Sequence, residues 1–186
     1  MSLDELVCAE HGWFPHVGIH EAGHAAAAVL LGFDFIEVSI VPGHGVYEQL
    51  VLGQQATGGG LLMTEDDPKA WAGARPEDAL VLITAGSLAE RKMFGHWLNG
   101  GFEGDLDIWR RGTSRTEAQE SAEAKALIST GVSNASRLLK DHWSAVLAVY
   151  GLFTNQVPHV GGRHLGFDDR LVVPYDAVRA AVEAAE

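Results

Sequence analysis

The stretch that most constrains how this chain folds is Ile19-His20-Glu21-Ala22-Gly23-His24-Ala25, continued by Ala26-Ala27-Ala28-Val29-Leu30-Leu31 and stopped at Gly32. Its residues are mostly small, apolar and helix-compatible, and a helix with so little polar surface along its second half belongs inside a core. On a helix rising 1.5 Å per residue, His20 and His24 sit one turn apart on one face, about 6 Å along the axis. Two neutral imidazoles so placed converge on one zinc ion, and Glu21 lies beside it. A carboxylate there can take a proton from a metal-acidified water and return it to a leaving amine. His-Glu-x-x-His is the zinc peptidase spacing; a pair of merely structural histidines is the competing reading, and it fits a charged surface face better than the front of an apolar run.

A catalytic zinc takes three protein ligands and keeps one position open, so a third ligand must come from elsewhere. His16 continues the four-residue stripe, but three turns span about 12 Å, too far for one ion with bonds near 2.1 Å. It reads as a helix-start or rim residue. Downstream, Gly100-Gly101-Phe102-Glu103-Gly104-Asp105-Leu106-Asp107 offers two acids. Asp105 follows a glycine bend and begins a helix; Asp107 falls in that helix's first turn, where acids are favoured by the dipole alone. Spacing leaves both open. Cys8 with His11, the turn residue His44 and the loop residues His159 and His164 read as bland; Glu90 either orients a metal ligand on the first helix or, as the favoured reading, pairs with Arg91 or Lys92 in solvent.

Composition excludes several classes. With 47% hydrophobic residues the 186-residue chain can bury a sizeable core as one domain. A net charge of −12 with only 13 Lys and Arg argues against a nucleic-acid partner, which needs clustered cations. The single cysteine, Cys8, rules out an internal disulfide framework. The acidic start Met1-Ser2-Leu3-Asp4-Glu5 is unlike a secretory signal, and no apolar run approaches about 18 residues. A cytoplasmic protein with no membrane partner is expected.

In chain order, residues 1–15 form a lead-in ending at Pro15, and the active-site helix runs over 16–31. Phe35-Ile36-Glu37-Val38-Ser39-Ile40-Val41 alternates and is β-branched, so it reads as a strand. Pro42-Gly43-His44-Gly45 is a turn, residues 46–52 a possible hairpin partner, and residues 57–63 a strand with a glycine-rich start open to an added peptide strand. Residues 64–76 read as loop with a short helical turn near Trp71, followed by a buried helix from Glu77 that stops at Gly95. The remainder is helical: 116–129, a break at 131–134, then 136–153. Residues 161–166 form a loop, and a closing helix covers 175–185 after Pro174.

His20-Glu21-Ala22-Gly23-His24-Ala25, the strand 38–41 with Pro42-Gly43, the glycine-containing strand before Met63, Ala85-Gly86-Ser87-Leu88-Ala89-Glu90 leading to Phe94-Gly95, and Gly104-Asp105-Leu106 occur in an order that resembles the zinc metallopeptidase domain of FtsH-type (AAA) proteases. The resemblance covers most of the chain from about Gly18. It implies that His20, His24 and Asp105 hold one zinc ion, that Glu21 is the general base, and that the strand near residues 58–63 holds substrate. The approach Phe102-Glu103-Gly104 departs from the small-polar-Asn approach usual in that family. There is no phosphate loop of the G-x-x-x-x-G-K-[ST] type and no spanning segment, so the expectation is the peptidase part alone, working without ATP.

The expected fold is α+β: one mostly helical domain over residues 1–186 with a small sheet. Within it, 1–15 is the lead-in, 16–95 the active-site helix, sheet and second core helix, and 96–186 the third-ligand segment and C-terminal helices. The expected function is zinc-dependent hydrolysis of peptide bonds in a polypeptide substrate. The alternatives are a catalytically silent zinc- or partner-binding module and, more distantly, hydrolysis of a non-peptide amide. A homo-oligomer is left open.

Overall fold

A computed structural model describes residues 13–40, 59–65, 67–97, 99–115, 122–156 and 170–186. Cys8, His11, His44, His159, His164 and the second hairpin stretch lie outside the described residues. The fold is mostly helical with one three-stranded antiparallel sheet, the α+β architecture expected. In chain order the elements are α1 (Trp13–Leu31), β1 (Phe35–Ile40), β2 (Gly59–Met63), a π turn (Lys69–Gly73), α2 (Pro76–Phe94), α3 (Asn99–Gly112), α4 (Ala122–Asp141), α5 (Trp143–Thr154), β3 (Leu171–Pro174) and α6 (Tyr175–Ala185). No helix among the described residues is long and apolar enough to cross a membrane.

α1 is the axis of the domain. Ile19, Ala22 and Ala25 to Ala28 are fully buried, because α2, α5, α6 and the sheet pack around it. Small residues make the approach to α2 possible: a Cβ on Gly23 would stand 2.7 Å from the Ala85 carbonyl oxygen and 2.8 Å from Ala89 Cβ. α1 ends where the sequence suggests, at Gly32 with φ +70°, and Arg75 donates to the freed Leu31 carbonyl at 2.7 Å. α2 carries Pro76 at its start with Glu77 and Asp78 in its first turn, and stops at Gly95 with φ +85°.

β1 is the central strand. β2 pairs with it from Met63 opposite Phe35 to Gly59 opposite Ile40, and β3 pairs on its other side from Pro174 opposite Glu37 to Leu171 opposite Ile40. Val38 and Ile40 point into the core. The far edge of β2 has no partner strand among the described residues.

Four local expectations are corrected. α1 begins at Trp13, so Pro15 lies inside its first turn, where the amide hydrogen it lacks has no helical acceptor anyway. The supposed glycine bend before Asp105 is helix: α3 already starts at Asn99. Gly131 does not break α4, which runs unbroken to Asp141; it lets α4 close on α2, since a Cβ there would stand 2.6 Å from Leu80 Cβ. β3 was not anticipated, because Leu171-Val172-Val173-Pro174 is too short to carry a period.

Candidate metal centre

α1 presents His20 and His24 towards α2 and α3, and Asp105 in the middle of α3 meets them. His20 Nε2 and His24 Nε2 are 2.9 Å apart, and Asp105 Oδ2 lies 3.2 Å from each. Three ligand atoms on a tetrahedral zinc with bonds of 2.0–2.1 Å would be separated by about 3.3 Å. The triangle is therefore a slightly contracted face of that tetrahedron, and these three residues form a group able to hold a metal ion.

The other nitrogen of each ring fixes where the lone pairs point. His24 Nδ1 donates to the Leu82 carbonyl oxygen at 2.8 Å, and a carbonyl can only accept, so the hydrogen is on Nδ1. His20 Nδ1 donates to Glu90 Oε1 at 2.6 Å. In the neutral rings both Nε2 lone pairs then face each other and the Asp105 carboxylate, whose Oδ2 is buried with no hydrogen-bond partner among the described residues. Such a triangle requires shared positive charge, from protons or from a metal ion.

The electrostatics agree. Burial acts to lower His20, but the Asp105 carboxylate with help from Glu90 outweighs it and pushes the ring well above the ordinary histidine value. His24 is raised on the same balance between burial and Asp105. Burial would raise Asp105; the two imidazoles overcome it and hold its carboxyl well below the usual carboxylate range. Glu21 is pushed up by burial, with His20 and His24 pulling it part of the way back.

Glycines line the centre because side chains would fill it. A Cβ on Gly86 of α2 would collide with His24 Nε2, and one on Gly101 of α3 would stand 3.0 Å from His20 Cε1. Gly59, the first residue of β2, lies against the Glu21 carboxylate: a Cβ there would be 2.6 Å from Glu21 Cγ. The edge of β2 without a partner strand among the described residues thus begins at the candidate general base. A separate cavity of about 190 Å³ at the other end of β2, lined by Phe33, Met63, Trp71 and Arg75 among others, shares no residue with the centre.

Among the acids left open by spacing, Asp105 faces the histidines, whereas Asp107 is exposed and accepts from Arg110 Nη1 at 2.8 Å. Two other readings are corrected. Glu90 is not a solvent partner of Arg91 or Lys92: it is 1% exposed and bonded to His20. His16 is not a rim residue: it is fully buried and its Nδ1 lies 3.1 Å from Glu90 Oε2. A signal for Glu90 was present in the sequence, since an acid inside the apolar part of a buried helix must find a partner.

No family model matches the sequence, and no curated protein matches it.

Proposed function

We propose that the protein is a zinc-dependent metallopeptidase that hydrolyses peptide bonds without ATP, on a motif order that resembles the peptidase domain of FtsH-type proteases. The observation that carries this reading is the convergence of His20 Nε2, His24 Nε2 and Asp105 Oδ2, with Glu21 beside them at the start of an open strand edge. The donor set of two imidazoles and one carboxylate suits zinc and leaves one coordination position for water. When bound, zinc acidifies that water and polarises a carbonyl.

The chain's own groups divide the remaining work. Glu90 and the Leu82 carbonyl hold the two rings in the tautomer that aims Nε2 at the ion. Glu21 accepts the water proton on its carboxylate and delivers it to the amine nitrogen as the C–N bond breaks. In the zinc-free chain burial pushes Glu21 above the ordinary carboxylate value, which makes it the firmer proton acceptor. The edge of β2 that has no partner strand among the described residues offers backbone N–H and C=O groups to an extended polypeptide, which would dock as a further strand with a peptide bond near Glu21. We place the protein in the cytoplasm on its lone cysteine, and its net charge of −12 argues against a nucleic-acid partner.

The test compares wild type with Glu21→Gln on an unfolded protein substrate, with bound zinc measured in both. Cleavage by wild type alone, at equal zinc content, is the expected result. Equal cleavage by both, or none by either, would sink the peptidase reading; zinc retained with no turnover would favour the silent binding module.

A further inference from the structure

The three histidines of the stripe have unequal roles, and the geometry points to a specific one for His16. We propose that His16 is a positioning residue for the metal centre, acting through Glu90 on His20; the proposal rests on the zinc reading above. His16 is fully buried, with its ring 4.2 Å from Phe94 and 5.3 Å from His96, centroid to centroid. It stands too far along α1 to share the ion held by His20 and His24. Its Nδ1 instead meets Glu90 Oε2 at 3.1 Å while His20 Nδ1 meets Glu90 Oε1 at 2.6 Å. One buried carboxylate accepts from two imidazoles a helical turn apart, one oxygen to each.

This arrangement has a consequence for His20. A zinc ligand must present an unprotonated Nε2, so His20 Nδ1 must carry the hydrogen and Glu90 must accept it. Were Glu90 to rotate away, His20 would lose the acceptor that keeps its hydrogen on Nδ1 and its Nε2 lone pair towards the metal. A second N–H donor on Oε2 opposes that rotation, because it pins the carboxylate plane. His16 supplies that donor from the same helix that carries the ligand, so ring and support move as one body. The pattern H-x-x-x-H-E-x-x-H then reads as positioning histidine, ligand, base, ligand.

The test uses two variants of nearly equal size. His16→Asn places an amide N–H close to where Nδ1 stands, and His16→Leu fills the same space with no donor. Zinc affinity is measured by competition with a chromophoric chelator, and the cobalt-substituted visible spectrum reports ligand geometry. His16→Leu should weaken zinc binding about tenfold or more, the loss typical of a partner outside the ligand set, and shift the cobalt bands. His16→Asn should bind zinc within about threefold of wild type. Equal affinities in all three proteins, or equal weakening by both substitutions, would overturn the proposal. Wild type that binds no zinc overturns the metal reading itself, a different result. Should His16→Leu not fold, the imidazole nitrogen-15 shifts of zinc-loaded wild type decide: His16 Nδ1 must be the protonated nitrogen, and an unprotonated Nδ1 contradicts the assignment.

Discussion

The front and rear of α1 are buried to nearly the same degree and by opposite chemistry. At the rear, Ala25 to Ala28 are fully enclosed and ask nothing of their neighbours beyond close packing. At the front, His16, His20, Glu21 and His24 are all 8% exposed or less, and each needs a partner. Missing side chains bring helices together in both kinds of packing, Gly131 of α4 against Leu80 of α2 in the apolar core and Gly86 of α2 against His24 of α1 at the polar front. The difference is that the rear is stable as it stands, while the front is complete only when positive charge sits between His20, His24 and Asp105. The proposed function resides in the part of the core whose stability is conditional.

The largest break in that symmetry is expected at Glu21. Glu21→Gln should lower turnover by roughly 10²–10⁴, the usual contribution of a general base, while zinc content and melting temperature stay close to wild type; steady-state cleavage assays check this. Next, Asp105→Ala should weaken zinc binding more than about 100-fold, beyond the loss of a mere supporting partner, whereas Asp107→Ala, at an exposed carboxylate paired with Arg110, should stay within about threefold. Chelator competition gives both numbers, and the reverse order would move the third ligand.

Gly86→Ala and Gly131→Ala set the two kinds of packing directly against each other. Each inserts a methyl group into a filled space and should cost about 1–3 kcal/mol in denaturant unfolding. Only Gly86→Ala should also weaken zinc binding; equal loss of zinc in both would mean that the centre responds to general loosening.

Smaller and more gradual is the effect of pH on the zinc-free protein. His20 and His24 are raised when folded, so their contribution is fully present below their ordinary value of about 6.5 and is lost as pH climbs through the raised values. Glu21, also raised, acts in the same direction, because the folded state binds its proton more firmly than the unfolded state does. Asp105, held low, loses its contribution only as pH falls below the ordinary carboxylate range. Chelated protein should therefore melt at a lower temperature at pH 8.5 than at pH 6, and the gap between zinc-bound and zinc-free protein should widen over that interval. Scanning calorimetry across the range checks the sign.

How much of this was legible beforehand follows from where the information lies along the chain. α1 and its motif could be read because the ligands and the apolar run are contiguous, and Gly32 and Gly95 could be read as stops because both take a positive φ. The choice of Asp105 over Asp107 could not, since it depends on the rotation of α3 about its axis; there only the resemblance in motif order pointed to the acid that faces the histidines. Glu90 was misread because its neighbours Arg91 and Lys92 offer an easy local explanation, while its actual partners lie 70 and 74 residues away. Gly131 was misread for a related reason: a glycine in a helix looks like a break until the neighbouring helix is seen to need the space. β3 stayed hidden because four residues carry too little pattern to name a strand.

The central claim is that three side chains converge to hold one zinc ion. Elemental analysis of the purified chain combined with thermal unfolding before and after chelation tests it most directly. One zinc per chain is expected, and at free zinc a hundredfold above Kd it should contribute about 2.7 kcal/mol of stability. For a chain of this size that corresponds to a rise in Tm of roughly 5–10 °C, absent in His24→Ala. A chain that purifies without zinc, and whose Tm neither zinc nor chelator moves, would contradict the account.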